Sequence, residues 1–212
     1  MILTKYEHAQ FTIADEQGNK LIVDPGKFSN LSKNIDNLVA VIITHQHADH
    51  VDPELIANII QHNPNVIIFA PESVGELVNH PITIPKPNTD YTAESFTLRF
   101  YGQKHEMIRP KLTIIDNFGV IINHKIAYPG DSFTPSGIKP TVLMLPVAAP
   151  WLNVNDAVQL LKQEAPNIAI PTHDAILSDI GKDVYDSHFL DEAQDINTAY
   201  QRLAVGESIS VD

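Results

Sequence analysis

The chain alternates short apolar runs with polar turns. Ile2–His8, Phe11–Asp15 and Lys20–Asp24 are short and partly alternating, the pattern of half-buried strands. Glu16-Gln17-Gly18-Asn19, between the last two, predicts a hairpin turn. Leu38–Thr44 (LVAVIIT) is apolar and β-branched almost throughout, as in a strand buried on both faces. A helix is predicted beyond it, with Asp52 as cap, Pro53 at its first position and Leu55, Ile56, Ile59 and Ile60 as its apolar stripe. Val66–Phe69 reads as another buried strand and Glu72–Val78 as a short helix. Ile82–Ile84, Tyr91–Thr92 and Phe96–Tyr101 continue the β pattern.

Leu112–Asp116 and Val120–Ile122 flank Asn117-Phe118-Gly119, which signals a second hairpin. Asn123-His124-Lys125 predicts the next turn and Ile126–Tyr128 the strand after it. Val142–Leu145 and Ile168–Ile170 read as core strands on either side of a helix at Asn155–Glu164, whose residues Ala157, Val158, Leu160 and Leu161 are apolar. Asp191–Leu203 predicts a C-terminal helix with Ile196, Ala199, Tyr200 and Leu203 on one face. This order predicts an α/β fold of two sheets with helices outside. No repeat or linker interrupts it, and 212 residues suit one domain spanning 1–212.

Composition narrows the chemistry. No apolar run is long enough to cross a bilayer, and the opening MILTKYEHAQ lacks the basic-then-apolar order of a secretory signal. There is no cysteine, so disulfides and thiolate ligands are excluded. That fits a cytoplasmic protein, and it leaves histidine and carboxylate to hold any transition metal. The net charge is −12, and Lys and Arg are scattered, which disfavours long nucleic acid as a partner. Lys104, Arg109 and Lys111 cluster in sequence and are read either as a small anion site or as solvated surface charge.

The decisive segment is Thr44-His45-Gln46-His47-Ala48-Asp49-His50, between the buried strand and the capped helix. Three histidines and one aspartate fall within six residues on a loop leaving a strand end. On an extended loop His45 and His47 can reach one ion, while Asp49 and His50 point elsewhere and can serve a second. A solvated loop that is rich in histidine by chance is the bland alternative.

His45, His47, Asp49 and His50 complete a His-x-His-x-Asp-His pattern that resembles the signature of the metallo-β-lactamase-fold superfamily. Further matching segments follow in order: His105 after a strand, Asp131 in Pro129-Gly130-Asp131-Ser132, and His173 in Pro171-Thr172-His173-Asp174. Asp24-Pro25-Gly26 is similar to the family's early Asp-Pro-Gly, and the flavour is that of its small lactonase-like hydrolases. The resemblance implies a four-layer αββα sandwich of two mixed β-sheets with outer helices. It implies that His45, His47 and His105 bind one ion, that Asp49, His50 and His173 bind a second, and that Asp131 bridges both. Zinc is the expected metal, with manganese or iron as alternatives.

The implied activity is hydrolysis of an ester, lactone or phosphoester of a small molecule by a hydroxide held between two divalent ions, with Asp49 and Asp131 as catalytic carboxylates. A nuclease or phosphodiesterase acting on nucleic acid and a non-catalytic metal-binding member are the alternatives. Di-iron redox members usually carry glutamate where this chain has His47. His124, in a tight turn, is the rival to His105. His62, His80 and His188 are read as unrelated to the site, and His8 at most as a partner behind the ligands. Ser132, Thr134, Trp151 and Asn153 could line a pocket, with core packing the favoured reading for Trp151. Assembly as a homo-oligomer is left open.

Overall fold

A computed structural model describes residues 1–29 and 35–212. The first sheet takes β1 (Ile2–Lys5), β2 (Phe11–Ala14), β3 (Lys20–Val23), β4 (Leu38–Ile42) and, after α1 (Pro53–His62), β5 (Ile67–Phe69). Helix α2 (Glu72–Val78) leads to the second sheet, made of β6 (Asp90–Ala93), β7 (Phe96–Tyr101), β8 (Gly119–Ile122), β9 (Ile126–Tyr128) and β10 (Val142–Pro146). Helix α3 (Val154–Glu164), β11 (Ile168–Thr172), α4 (Asp179–Asp195) and β12 (Ala199–Tyr200) complete it, and β13 (Ser208–Ser210) returns to pair with β1. Strand order is β13-β1-β2-β3-β4-β5 in one sheet and β12-β11-β10-β9-β8-β7-β6 in the other. Both sheets are mixed: β3, β4 and β5 run parallel beside an antiparallel meander, as do β9 to β12.

Period-two alternation sorts the side chains into layers. Phe11, Ile13, Leu21, Val23 and Ile42 of the first sheet meet Phe96, Leu98, Phe100, Val120 and Met144 of the second in the central core. The opposite face of the first sheet, with Ile22, Val41 and Ile43, is covered by Leu55, Ile56 and Ile59 of α1 and Val74 and Val78 of α2. Ala127, Leu143, Leu145 and Ala169 of the second sheet pack against α3 and α4 in a third core. The result is the four-layer αββα sandwich. Helix α1 starts as its sequence predicts, with the Asp52 carboxylate accepting the Glu54 N–H at 3.0 Å and Pro53 following the cap.

Three expectations fail. Helix α4 begins at Asp179 and ends at Asp195, not at Asp191–Leu203. Asn197 adopts a positive φ of 55° that breaks it, and Ala199–Tyr200 become a strand beside β11. The helix buries only Phe189 and Ala193, so its own apolar pattern could not announce it. Leu112–Asp116 is no strand. It belongs to an irregular connection, 102–118, tied back by a single bridge from Asp116 to Lys104, and Asn117-Phe118-Gly119 is therefore no hairpin turn. Ile82–Ile84 forms only a bridge at Thr83.

Strands β1, β3, β4, β7, β9 and β11 all end at one edge of the sandwich, and their following loops converge there. Glycine makes two close approaches possible. A Cβ on Gly26 would sit 1.9 Å from the Asp49 carbonyl oxygen. One on Gly130, whose φ is +64°, would sit 2.4 Å from Asn117 Oδ1.

Candidate metal centre

The loop after β4 delivers His45, His47, Asp49 and His50. The 102–118 loop delivers His105, the segment after β9 delivers Asp131, and the end of β11 delivers His173. These side chains meet as two adjoining donor groups. His45, His47, His105 and Asp131 form one, and Asp49, His50 and His173 the other, with His8 beside it; within each group the ligand atoms lie within 4.8 Å of one another. Asp131 joins the groups. Its Oδ1 is 3.2 Å from His50 Nε2, and its Oδ2 is 3.2 Å from both His105 Nε2 and His173 Nε2 and 3.7 Å from His45 Nε2. Asp49 Oδ2 is 3.3 Å from His173 Nε2 and 3.6 Å from His50 Nε2.

Outer partners fix which nitrogen of each ring faces inward. His50 Nδ1 meets Asp24 Oδ2 at 2.7 Å, His105 Nδ1 meets the Glu106 carbonyl at 2.5 Å, and His173 Nδ1 meets the Ala148 carbonyl at 2.6 Å. In each case Nδ1 donates outward, which leaves Nε2 as the nitrogen aimed into the site. His45 follows the same logic. The Thr44 hydroxyl donates to Asp24 Oδ2 at 2.8 Å and so accepts from His45 Nδ1 at 3.0 Å. Asp24 also accepts the Thr44 N–H and the Tyr128 hydroxyl, each at 2.8 Å. Asn117 Oδ1 accepts the Asp131 N–H at 3.0 Å, and Asn117 Nδ2 donates to the Pro129 carbonyl at 2.9 Å.

The donor set fits divalent cations. Nε2 of His50, His105 and His173 and Oδ1 of Asp131 are buried and have no hydrogen-bond partner. Orphaned polar atoms of this kind are costly unless something satisfies them. Their spacing suits an ion, since ligands about 2.0–2.1 Å from a tetrahedral centre lie roughly 3.3 Å apart. The electrostatics agree. Burial would raise the Asp131 carboxyl, but the facing His50, His173 and His45 outweigh it and hold it well below the ordinary range. Burial would lower His173, but Asp131 and Asp49 push it up to about 9. Burial and the neighbouring His50 drive His45 well below the usual imidazole range.

All seven residues singled out in the sequence as ligands stand at this edge, together with Trp151, His8 and Asp24. Trp151 does not pack into a core: its Nε1–H donates to Asp131 Oδ2 at 2.9 Å, and its ring lies 5.8 Å from that of His105. His8 touches Asp49 Oδ2 at 3.0 Å through Nε2. Asp24 gathers the hydrogen bonds behind His50; the Asp24-Pro25-Gly26 match marks its position, and the fold supplies its role. The rival His124 is exposed in the β8–β9 turn, at the opposite edge. Among the other pocket candidates, Asn153 caps α3 and Ser132 donates to Thr134 Oγ1 at 2.7 Å.

Fold and donor groups together define a class: a metallo-β-lactamase-fold protein with two adjoining histidine–aspartate donor groups, of the metal-dependent hydrolase kind. The chain belongs to the family described as Beta-lactamase superfamily domain, which matches residues 2–173. It is 30% identical over 190 residues to Protein Rv0786c of Mycobacterium tuberculosis (strain ATCC 25618 / H37Rv), covering 87% of this chain and 89% of that one. The same fold appears in a metallo hydrolase from the archaeon Ignicoccus hospitalis KIN4/I, with a TM-score of 0.74, 17% identity and coverage of 100% and 98%. It appears also in an isothiocyanate hydrolase from Delia radicum gut bacteria, with a TM-score of 0.74, 17% identity and coverage of 100% and 99%. Among the described residues no helix is long and apolar enough to cross a membrane.

Proposed function

We propose that the protein is a hydrolase that holds two divalent cations, zinc being the expected pair, and cleaves an ester, lactone or phosphoester of a small molecule. One observation carries this reading. The buried carboxylate of Asp131 lies within 3.7 Å of inward-facing imidazole nitrogens from both donor groups. His45, His47 and His105 would hold one ion, Asp49, His50 and His173 the other, and Asp131 both. When bound, such a pair supplies Lewis acidity and a nucleophilic water at neutral pH.

The chain's own groups divide the remaining work. The Asp131 side chain is 3% exposed and takes four imidazole contacts, so its role is to hold charge. The Asp49 side chain is 21% exposed; burial would raise its carboxyl, but the facing His173, His8 and His50 outweigh that and hold it well below the ordinary range, so it too serves as a fixed negative charge. Trp151 Nε1–H fixes one Asp131 oxygen. A cavity of about 290 Å³ reaches His47 and His105, which speaks against a blocked, non-catalytic site. Among the described residues no Lys or Arg lines that cavity, which speaks against a nucleic-acid substrate.

Metal analysis of the purified chain tests the reading. Wild type should carry about two ions, and His45→Ala and Asp131→Ala fewer. Hydrolysis of simple aryl esters or phosphodiesters should vanish on chelation and return with Zn²⁺ or Mn²⁺. Full metal content in both variants would overturn the ligand set, and a metal-loaded protein inert toward a broad ester and phosphoester panel would overturn the activity.

A further inference from the structure

The 102–118 loop carries apolar side chains that no core absorbs. Met107, Leu112 and Ile114 are 54%, 43% and 42% exposed, and neither they nor Ile108 and Ile115 belong to the three apolar cores. Yet the loop is firmly anchored. His105 N–H donates to the Ile115 carbonyl at 3.0 Å, Glu106 N–H to the Asp131 carbonyl at 2.9 Å, and Asn117 N–H to the Gln103 carbonyl at 3.1 Å. The base of the loop is therefore held beside the donor groups. The apolar side chains wall the 290 Å³ cleft whose remaining lining includes His47 and His105 of the first donor group.

The charge around this cleft selects against anions. Among the described residues, the one ionisable group lining it besides the two histidines is Glu106, whose carboxylate accepts the Phe133 N–H at 3.2 Å. Lys104, which could have held a phosphate or carboxylate, is turned to Asp116 at 2.6 Å, and neither Arg109 nor Lys111 lines the cleft. A volume of 290 Å³ admits roughly ten water-sized groups, the low end for a ligand pocket.

We infer that this cleft is the specificity pocket of the proposed hydrolase and takes an uncharged apolar group of the substrate, of the size of a medium-length acyl chain, with Met107, Leu112 and Ile114 setting the preference. The inference rests on the hydrolase reading. It adds that the scissile bond lies at the end of an apolar chain, because the apolar walls lead directly to His47 and His105.

The test uses the zinc-loaded full chain with p-nitrophenyl acetate, butyrate and hexanoate, and with the carboxylate-terminated monoester of adipate. In wild type kcat/KM should rise about fourfold per added methylene, the value of burying one CH₂, and should drop for the anionic ester. In a Leu112→Asp/Ile114→Asp variant the hexanoate-to-acetate ratio should fall about tenfold or more, mainly through KM. These positions are exposed, so the fold should tolerate the change. A flat chain-length profile in wild type, or an unchanged ratio in the variant, would overturn the inference while leaving the hydrolase reading intact. Should none of these four esters be cleaved, the hydrolase reading is left to its broader panel and the cleft is judged by binding. Hexanamide titrated into zinc-loaded protein with labelled isoleucine methyls should shift Ile108, Ile114 and Ile115 saturably, and the variant should show no such response. Absence of those shifts in wild type, or shifts that follow protein concentration and not the probe, would sink the inference.

Discussion

His8 donates to Asp49, Nε2 to Oδ2 at 3.0 Å, and the direction of that bond is fixed by a second one. The backbone N–H of Ala175 donates to His8 Nδ1 at 3.3 Å, so the ring proton must sit on Nε2. A ring so committed has no lone pair for a cation at Nε2. His8 is therefore a positioning residue for Asp49, although its side chain lies among the second donor group. It is fully buried, and its left-handed backbone (φ 56°) is held where its carbonyl accepts both the Lys5 ammonium at 2.8 Å and the His173 N–H at 3.0 Å.

His8→Asn should keep the left-handed backbone, which asparagine tolerates, but fall short of Asp49. If the proposed two-cation centre is right, zinc affinity at the donor group of Asp49 should drop about 10–100-fold, as for other residues that orient a ligand. His8→Gln, whose longer amide can donate to the carboxylate, should recover part of that loss. Competition titration against a chromophoric chelator measures both. Wild-type affinity in His8→Asn, or equal losses in the two variants, would remove the positioning role.

How much of this was legible in the sequence depends on how local each signal was. The strand before Thr44, the capped helix from Pro53 and the four residues between them form one contiguous pattern, so element and candidate chemistry could be read together. His105, Asp131 and His173 lie far apart and were placed by resemblance; the residues alone gave only strand ends. His8 had no local company, because its partner lies 41 positions away. Trp151 looked like a core residue because tryptophan is highly buried on average, and only the fold shows its N–H turned to Asp131. Helix α4 lacked a stripe to announce it, and the isoleucines near 112–116 imitated a strand because they are apolar for another reason.

Asp24 sits at the centre of the second prediction. It is fully buried and accepts from Thr44 N, Thr44 Oγ1, His50 Nδ1 and Tyr128 OH. Asp24→Ala leaves those donors buried without an acceptor, which should cost about 3 kcal/mol or more. Tyr128→Phe removes one bond to a carboxylate and should cost about 2 kcal/mol. Urea unfolding of metal-free protein measures both. An Asp24→Ala protein as stable as Tyr128→Phe would show that this cluster adds little to the fold.

Lys5 gives the third prediction, a pH dependence with a definite sign. Its ammonium is buried, bonded to the carbonyls of Tyr6 and His8, and 3.9 Å from Asp174. Burial lowers its pKa from 10.5 to about 8, against the partial compensation of Asp174. A base whose folded pKa lies below its unfolded value binds fewer protons in the folded state, so its penalty is present in full below about pH 8 and is lifted as pH rises toward 10.5. The whole effect is about 3 kcal/mol at most. Subtracting Lys5→Met removes the contribution of every other titrating group, so the difference between wild type and that variant is the quantity to follow. Measured by urea unfolding at steps from pH 7 to 10, wild type should gain stability relative to Lys5→Met above pH 8, with a slope approaching one proton. A difference that stays flat across that range would mean that Lys5 keeps an ordinary lysine pKa in the folded protein.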